Sequence, residues 1–222
     1  MCLILFAYKI PIIGNLNMTK TFVHDQNIYS KLNALISVAE SKGATKIAIV
    51  DAKKIVVEDA LAEYCRKPGC KNYGLSMSCP PHVSGPLGFR KNLEIYDNAL
   101  FFRIDVPLDI LYSSEKRKIF RLLHEIAASI EHSAHKMGFV RAKAFAGGSC
   151  KDIFCHEHLK CRVLSEKGQC RYPDHARPSM SGFGINVTAL AKTVGWTMDW
   201  GKPDASSDAA KLGNIYGLVL IC

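Results

Sequence analysis

Apolar residues recur at steps of three and four along three stretches of the chain, residues 27–42, 114–138 and 180–194. This spacing places the apolar side chains on one face of a helix. A glycine closes each stretch, at Gly43, Gly138 and Gly195, where a helix terminus favours a residue without a side chain. The pattern therefore predicts three helices, of which the second is the longest.

β-forming residues dominate the stretches between these helices, at residues 46–58, 99–106, 140–146 and 215–221. The first of them divides into two short runs, 46–50 and 54–58, with a turn between them. Strands that alternate with helices favour a small sheet covered by helices. We therefore expect a single-domain layered sandwich of the α/β class, with α+β as the alternative, in residues 18–222.

Two segments follow neither period. Residues 65–88 hold four prolines and four glycines, which exclude a long regular element. Residues 147–180 are polar and cannot bury enough apolar surface to offset the entropy of being ordered. Both segments are rich in cysteine, so we interpret them as two metal-binding loops, and we expect them to meet at one edge of the sheet.

The cysteines form two groups, Cys65-x4-Cys70-x8-Cys79 and Cys150-x4-Cys155-x5-Cys161-x8-Cys170. Four thiolates complete a [4Fe–4S] or zinc site, whereas three leave one coordination position open or filled by another residue. His82 and His156 adjoin these cysteines and are candidates for that ligand. We interpret His124, His132 and His135, on or beside the long helix, as surface residues.

Composition narrows the classes of function. The net charge of +9 fits an acidic protein partner or an anionic cofactor, and the basic residues are too dispersed to favour nucleic acid. Seven of nine cysteines crowd into the two groups, so we expect thiols in a reducing cytoplasm and no membrane segment. Residues 1–17 differ in character from the rest, and we interpret them as an N-terminal extension.

Several motifs resemble a known family. They are Cys-x4-Cys-x2-Tyr-Gly-x4-Cys-Pro-Pro-His at 65–82, Gly-Gly-x-Cys at 147–150, Cys-Arg-Tyr-Pro-x3-Ala-Arg-Pro-Ser-Met at 170–180 and Gly-Ile-Asn-Val at 184–187. They are similar to those of the predicted metal-binding prokaryotic proteins grouped as domain of unknown function 2284. The resemblance implies metal binding and names no activity. The chain departs from the family pattern in a wider second cysteine group, in Ser181-Gly182 and in Asn186.

Three classes of function remain open. The first is an iron–sulfur protein for redox or electron transfer, with a [4Fe–4S] cluster and an acidic redox protein as partner. The second is a zinc-dependent structural or interaction module. The third is a metalloenzyme with an open metal position at the first cysteine group, which predicts a pocket beside Cys65, Cys70 and Cys79 that contains Tyr73 or His82. We favour the first class, and whether the chain is an enzyme stays open.

Overall fold

The computed structural model describes residues 18–66, 69–198 and 212–222, with side chains from residue 26 onward. Its strands are β1 Lys46–Asp51, β2 Asn98–Pro107, β3 Lys143–Ala146 and β4 Leu212–Ile221. Its α-helices are α1 Met18–Ser41, α2 Asp59–Glu63, α3 Gly85–Leu93, α4 Leu108–Tyr112, α5 Lys116–Lys136, α6 Cys150–Ile153, α7 Arg162–Glu166 and α8 Val187–Thr193. Two 3-10 turns lie at Ala52–Lys54 and Met180–Phe183.

The four strands form one antiparallel sheet in the order β1-β2-β4-β3. The two central strands pair along their whole length, from Asn98 opposite Ile221 to Pro107 opposite Leu212. Phe102 lies opposite Gly217, and a side chain on that glycine would collide with the phenylalanine ring. β3 is short and sits at one edge, so β4 extends beyond it.

Each face of the sheet carries its own hydrophobic core. Long helices α1 and α5 cover one face, where Leu35 and Ile126 are fully buried against the strands. The other face is covered by α3, the turn at Met180–Phe183 and α8, and it buries the stacked rings of Phe101 and Tyr216. The predicted sandwich is therefore confirmed, and the sheet is antiparallel.

The elements differ from the sequence prediction in three places. Residues 54–58 are not a strand, because Asp51 caps a 3-10 turn and Val57 makes an isolated bridge to Ile185. The helix predicted over 180–194 is broken, since Gly184 has a left-handed φ of 68° and Asn186 caps a new helix. Helix α3 begins in the last four residues of the segment 65–88, for which we predicted no long regular element, and continues to Leu93.

The long helix predicted over 114–138 is confirmed as α5, and α1 begins earlier than predicted. The proposed extension, residues 1–17, lies outside the described residues. Among the described helices, none combines the length and the apolar composition needed to cross a membrane.

Candidate metal centre

The first cysteine loop leaves the sheet through the short helix α2. Arg90 holds this helix in place by an ion pair with Asp59 and a hydrogen bond of 2.9 Å to the carbonyl of Val57. Helical and turn hydrogen bonds then carry the chain from Cys65 through Cys70 to Tyr73. A bond of 2.8 Å from the N–H of Gly74 to the carbonyl of Pro80 closes the loop. Cys65, Cys70 and Cys79 are thereby brought close together.

The second cysteine loop starts where β3 ends. Ala146 is followed by Gly147 and Gly148, and the latter has a φ of 83° that turns the chain out of the sheet. A side chain on Gly148 would approach Phe120 and Ile153 to 3.1 Å, so the turn is also sterically tight. The short helix α6 follows at once and buries Cys150.

Helix α5 holds both ends of the second loop through His124. Its Nε2 donates to the carbonyl of Gly147 at 3.0 Å, and its Nδ1 accepts from the backbone N–H of Arg177 at 3.1 Å. Because the ring is buried, and despite its bond to Gly147, the pKa of His124 falls to about 4. The interpretation of His124 as a surface residue is therefore wrong, and it is a neutral structural clamp. His132 is partly buried and contacts Arg177, whereas His135 is exposed.

Arg177 strengthens the same attachment. Its guanidinium forms a buried ion pair of 2.6 Å with Glu131 of α5 and donates to the carbonyls of Pro173 and Ala176. Glu131 also accepts a bond of 2.6 Å from the backbone N–H of Ala144 in β3. Helix, strand and loop are joined at this point by one charged network.

The two cysteine loops meet, as predicted, beside the edge strand β3. The thiol of Cys79 donates to Ser149 Oγ at 3.3 Å, and the N–H of Ser179 bonds to the carbonyl of Ser78. The N–H of Met77 reaches the sulfur of Cys161. Three contacts thus tie residues 77–79 of the first loop to the second loop.

All four cysteines of the second group line one cavity of about 20 Å³. Phe154 and Tyr172 form an aromatic wall, with their ring centroids 5.3 Å apart. The remaining lining includes Ser76 from the first loop and the basic residues Lys151, Arg162 and Arg171. Ser76 is 1% exposed, and its hydroxyl lies near the Cys150 sulfur. Among the described residues this hydroxyl has no hydrogen bond of good geometry.

Several cysteine thiols raise the pKa of a neighbouring thiol. Burial raises the pKa of Cys150 to about 11, the hydroxyls of Ser76 and Ser78 oppose this, and Cys79 and Cys170 raise it further. Burial, then Cys170 and Cys161, raise the pKa of Cys155. Burial, then Cys70 and Cys79, raise the pKa of Cys65 to about 11. Cys79 therefore lies close to the thiols of both groups, since it acts on Cys65 and on Cys150.

The pKa of Cys161 shifts in the direction opposite to that of Cys65, Cys150 and Cys155. Burial would raise its pKa, but the N–H groups of Met77, Leu164 and Val163 and the charge of Arg171 outweigh burial and lower it. The N–H of Tyr172 similarly points to the sulfur of Cys170 at 3.4 Å. These donors stabilise negative charge on sulfur, which is the form in which cysteine binds a metal.

The candidate histidine ligands make other contacts. His82 Nε2 lies 3.3 Å from the carbonyl of Gly74, and His156 lies 3.6 Å from Glu157. Within residues 18–66, 69–198 and 212–222, no three His, Cys, Asp or Glu side chains are placed to hold a single metal ion. The seven cysteines are thiols in this arrangement, without a disulfide among them.

A larger cavity of about 390 Å³ lies next to the cysteines. Tyr64, Phe120 and Gly147 contribute to its wall, whereas Tyr73 and His82 are not among its described lining. The pocket predicted for an enzyme is therefore not the one found here, although Tyr64 is the neighbour of Cys65.

Sequence reasoning missed the residues that hold the loops. His124 and Arg177 carry no metal-ligand spacing, and Ser76 and Ser149 look like ordinary loop serines. One signal was available, because His124 stands four residues from both Phe120 and Ala128 on the apolar side of α5. A histidine at that position is expected to be buried.

The fold is an antiparallel sandwich with two cysteine groups at one edge, and cysteine is a common metal ligand. The chain belongs to the family DUF2284, described as a predicted metal-binding protein, whose model matches residues 48–221. The match includes every cysteine of both groups. Neither a curated protein nor a solved structure matches the chain.

Proposed function

We propose that the chain is an iron–sulfur protein in which Cys150, Cys155, Cys161 and Cys170 hold one [4Fe–4S] cluster, and that it transfers electrons. The observation that carries the proposal is the cavity lined by all four of these thiols. Four thiolates are the usual complement of such a cluster, which accepts and donates a single electron. Membership in a metal-binding family supports the general part of this proposal.

The surroundings of the four thiols suit an anionic centre. Lys151 donates to the carbonyl of Cys155 at 2.9 Å, and Arg171 donates to the carbonyl of Lys160 at 3.3 Å, which keeps both cations at the loop. Phe154, Ile153 and Tyr172 pack around Cys150 and limit the access of water. Cations and N–H donors near sulfur stabilise the charge that four thiolates bring.

Cys65, Cys70 and Cys79 hold a second metal centre with a fourth ligand that is not a cysteine. Their closeness supports this assignment, and short loops close at a lower entropic cost than long ones. The position of Cys79 beside Ser149 and Cys150 supports one competing arrangement, in which Cys79 joins the second group in a shared site.

An acidic redox protein is the proposed partner. Around the second group the surface is basic and partly apolar, with Lys160 next to Cys161, Leu159 98% exposed and Met77 49% exposed. A basic surface with an apolar centre fits an acidic protein that docks transiently and exchanges an electron. This location would bring the partner directly over the cysteines.

Metal analysis of anaerobically purified protein tests the proposal. We expect about four iron atoms and four sulfides at the second group, a brown colour, and a reversible one-electron reduction seen by electron paramagnetic resonance. Cys170→Ser should remove this signal, whereas the matched control Cys222→Ser, outside both groups, should retain it. Stoichiometric zinc without sulfide would overturn the cluster and favour a structural zinc module.

Cys79→Ser distinguishes the two arrangements of centres. If the first group is separate, the variant should lose its second metal and keep the signal that Cys170→Ser abolishes. If both variants empty the same cluster and leave no other metal, one shared cluster replaces the two centres.

Small charged oxidants test the proposed docking surface. Ferricyanide is an anion and hexaamminecobalt(III) is a cation, and the rate of each is divided by its rate with an uncharged reference reductant. After this correction the reduced protein should react faster with ferricyanide, and salt should weaken that preference. Lys160→Glu should reduce the preference, and Lys192→Glu on α8 serves as the control. Equal effects of the two substitutions would refute a docking surface at the cysteines.

A further inference from the structure

The cavity of about 390 Å³ exists because the sheet is incomplete at this edge. β3 pairs with residues 217–220 of β4 and stops at Ala146, while β4 begins five residues earlier at Leu212. Asn214, Ile215 and Tyr216 of β4 therefore line the cavity, together with Leu61 of α2 and Tyr64 at the C-terminal end of that helix. Its volume falls within the range of pockets that bind small organic molecules.

The lining is graded from an apolar floor to a polar mouth. Met180, Ile185 and Tyr216 are buried, at 3% to 4% exposed, and form the floor. Tyr64, Ser181 and Thr188 also line the cavity and are exposed. An apolar floor with a hydroxyl-bearing mouth matches a molecule that is mostly a ring and has one polar end.

The amide side chain of Asn214 in the lining is held by two polar contacts. Asn214 Nδ2 donates to Asp105 at 2.7 Å, and its Oδ1 lies 3.4 Å from the hydroxyl of Tyr216. Asp105 is itself paired with Arg103 at 2.8 Å, behind the lining. The described lining side chains are apolar, aromatic, amide and hydroxyl groups, and none of them is charged. A charged ligand would enter without a counter-charge, which is costly in a buried site.

The cavity and the metal centre share a wall. Phe120 and Gly147 line the cavity, and Phe120 also packs against the cluster of Cys150, Ile153 and Phe154. Phe120 thus lies between the cavity and the cluster that contains Cys150.

We propose that this cavity binds a neutral organic molecule with one planar ring and a hydrogen-bonding group, next to the metal centre. This binding goes beyond electron transfer, and it does not depend on whether the cysteines hold an iron–sulfur cluster or zinc. Binding of the ring is therefore measured independently of which metal the cysteines carry.

Three probes with the same ring test the proposal on metal-loaded protein. Benzamide is neutral, benzoate is an anion and benzamidine is a cation. Ligand-observed magnetic resonance should give a saturable, millimolar Kd for benzamide, as expected for so small a ligand. Benzoate and benzamidine should bind at least about tenfold more weakly, because each brings an unmatched charge.

Two substitutions on α8 locate the binding. Thr188→Trp fills the mouth of the cavity and should weaken benzamide binding at least about tenfold, a change well outside experimental error. Thr193→Trp places the same side chain at an exposed position outside the lining and should leave binding unchanged. Both positions are exposed, and thermal unfolding of the two variants verifies that they fold.

Each other result overturns part of the proposal. Equal binding of the three probes would refute a neutral ligand, and equal effects of the two tryptophans would refute this cavity as the site. Absence of saturable benzamide binding to the wild type would refute the ligand class. Metal content, measured on the same samples, reports on the proposed function separately.

Discussion

The helical face of the sheet and its cysteine edge are held together in different ways. Under α1 and α5, buried apolar side chains such as Leu35, Leu123 and Ile126 pack over a wide area. At the cysteine edge, residues 147–179 bury few apolar side chains, and individual polar contacts from His124 and Arg177 fix the two ends. The first region should therefore tolerate the loss of any one contact better than the second region does.

The two regions should also differ in how much their folding depends on a bound metal. A wide apolar core folds without a ligand, whereas the cysteine edge gathers thiols that a cation would hold as thiolates. The gain should be largest where burial raises the thiol pKa, at Cys65, Cys150 and Cys155. Metal removal should thus loosen the cysteine edge and leave the helical face folded. The following predictions test that division, beginning with the largest effect.

Arg177→Ala should lower the free energy of unfolding most, because it leaves Glu131 buried without its partner. Both side chains are largely buried, at 8% and 13% exposed, and breaking such a pair costs about 3–5 kcal/mol of stability. The variant should also bind less metal, since the end of the second loop is released. Urea unfolding and metal analysis measure the two effects.

The control for this prediction is Lys118→Ala in α5, the helix that carries Glu131. Lys118 pairs with Glu115 on the surface, so its loss should change stability by less than about 1 kcal/mol. A similar loss for both variants would mean that the buried network is not what attaches the loop.

Ile126→Ala should destabilise the helical face without touching the site. Ile126 is fully buried between α5 and the sheet, and truncating such a side chain costs about 3 kcal/mol. The folded fraction should keep its full metal content, because the cysteine edge is held separately. Loss of metal in proportion to stability would show that the two regions are one cooperative unit. Leu159→Ala, at a position 98% exposed, is the control.

His124 should make stability depend on pH. Its folded pKa of about 4 lies below the unfolded value of about 6.5, so the unfolded chain binds the proton more tightly and acid favours unfolding. Stability is complete above pH 6.5 and falls as the pH drops toward 4, by about 2 kcal/mol between pH 8 and pH 5. The neighbouring cation of Arg177 acts in the same direction as burial.

Urea unfolding of the wild type and of His124→Gln at pH 8 and pH 5 checks this expectation. Glutamine does not titrate, so the difference between the two pH values should shrink by about 2 kcal/mol, even if the variant is less stable at both. His135→Gln, at an exposed histidine, should keep the wild-type difference. An unchanged difference in His124→Gln would contradict the buried neutral histidine.

The difference between the helical face and the cysteine edge also explains which features of the structure could be predicted from the sequence. Apolar residues such as Leu32 and Leu35 in α1 and Ile126 in α5 belong to patterns that repeat over several helical turns, so the long helices were predicted. The central strands were predicted from their β-forming residues. The helix predicted over 180–194 was wrong in its first part, because the left-handed φ of Gly184 interrupts the chain there and α8 begins only at Val187.

At the cysteine edge, spacing predicted which residues gather but not what attaches them. Cys150, Cys155, Cys161 and Cys170 line one cavity, as their nearness in sequence suggests, and their shared metal site stays a prediction. The contact between Cys79 and Ser149 joins residues 70 positions apart, and no local pattern encodes it. The clamp by His124 depends likewise on the distant backbone of Gly147 and Arg177.

The smallest expected effect lies at Asn186, where α8 meets the first loop's support. Its Oδ1 accepts from the N–H of Ala189 at 2.8 Å as a helix cap, and its Nδ2 donates to Glu58 at 2.6 Å. Asn186→Ala should cost about 1 kcal/mol, the usual value of an N-cap, and should leave the metal in place.

Asn186→Asp separates the two contacts of this residue. Aspartate can still cap α8, but it replaces the donor to Glu58 with a second carboxylate, so at pH 7 the variant should be less stable than the wild type by about 0.5 kcal/mol. Adding Glu58→Gln to Asn186→Asp should recover that loss, because the glutamine amide can donate to the new carboxylate. A double-mutant cycle in urea measures this coupling. Independent effects of the two substitutions would mean that the cap alone holds α8, and that the bond between α2 and α8 adds nothing to the support of the first cysteine loop.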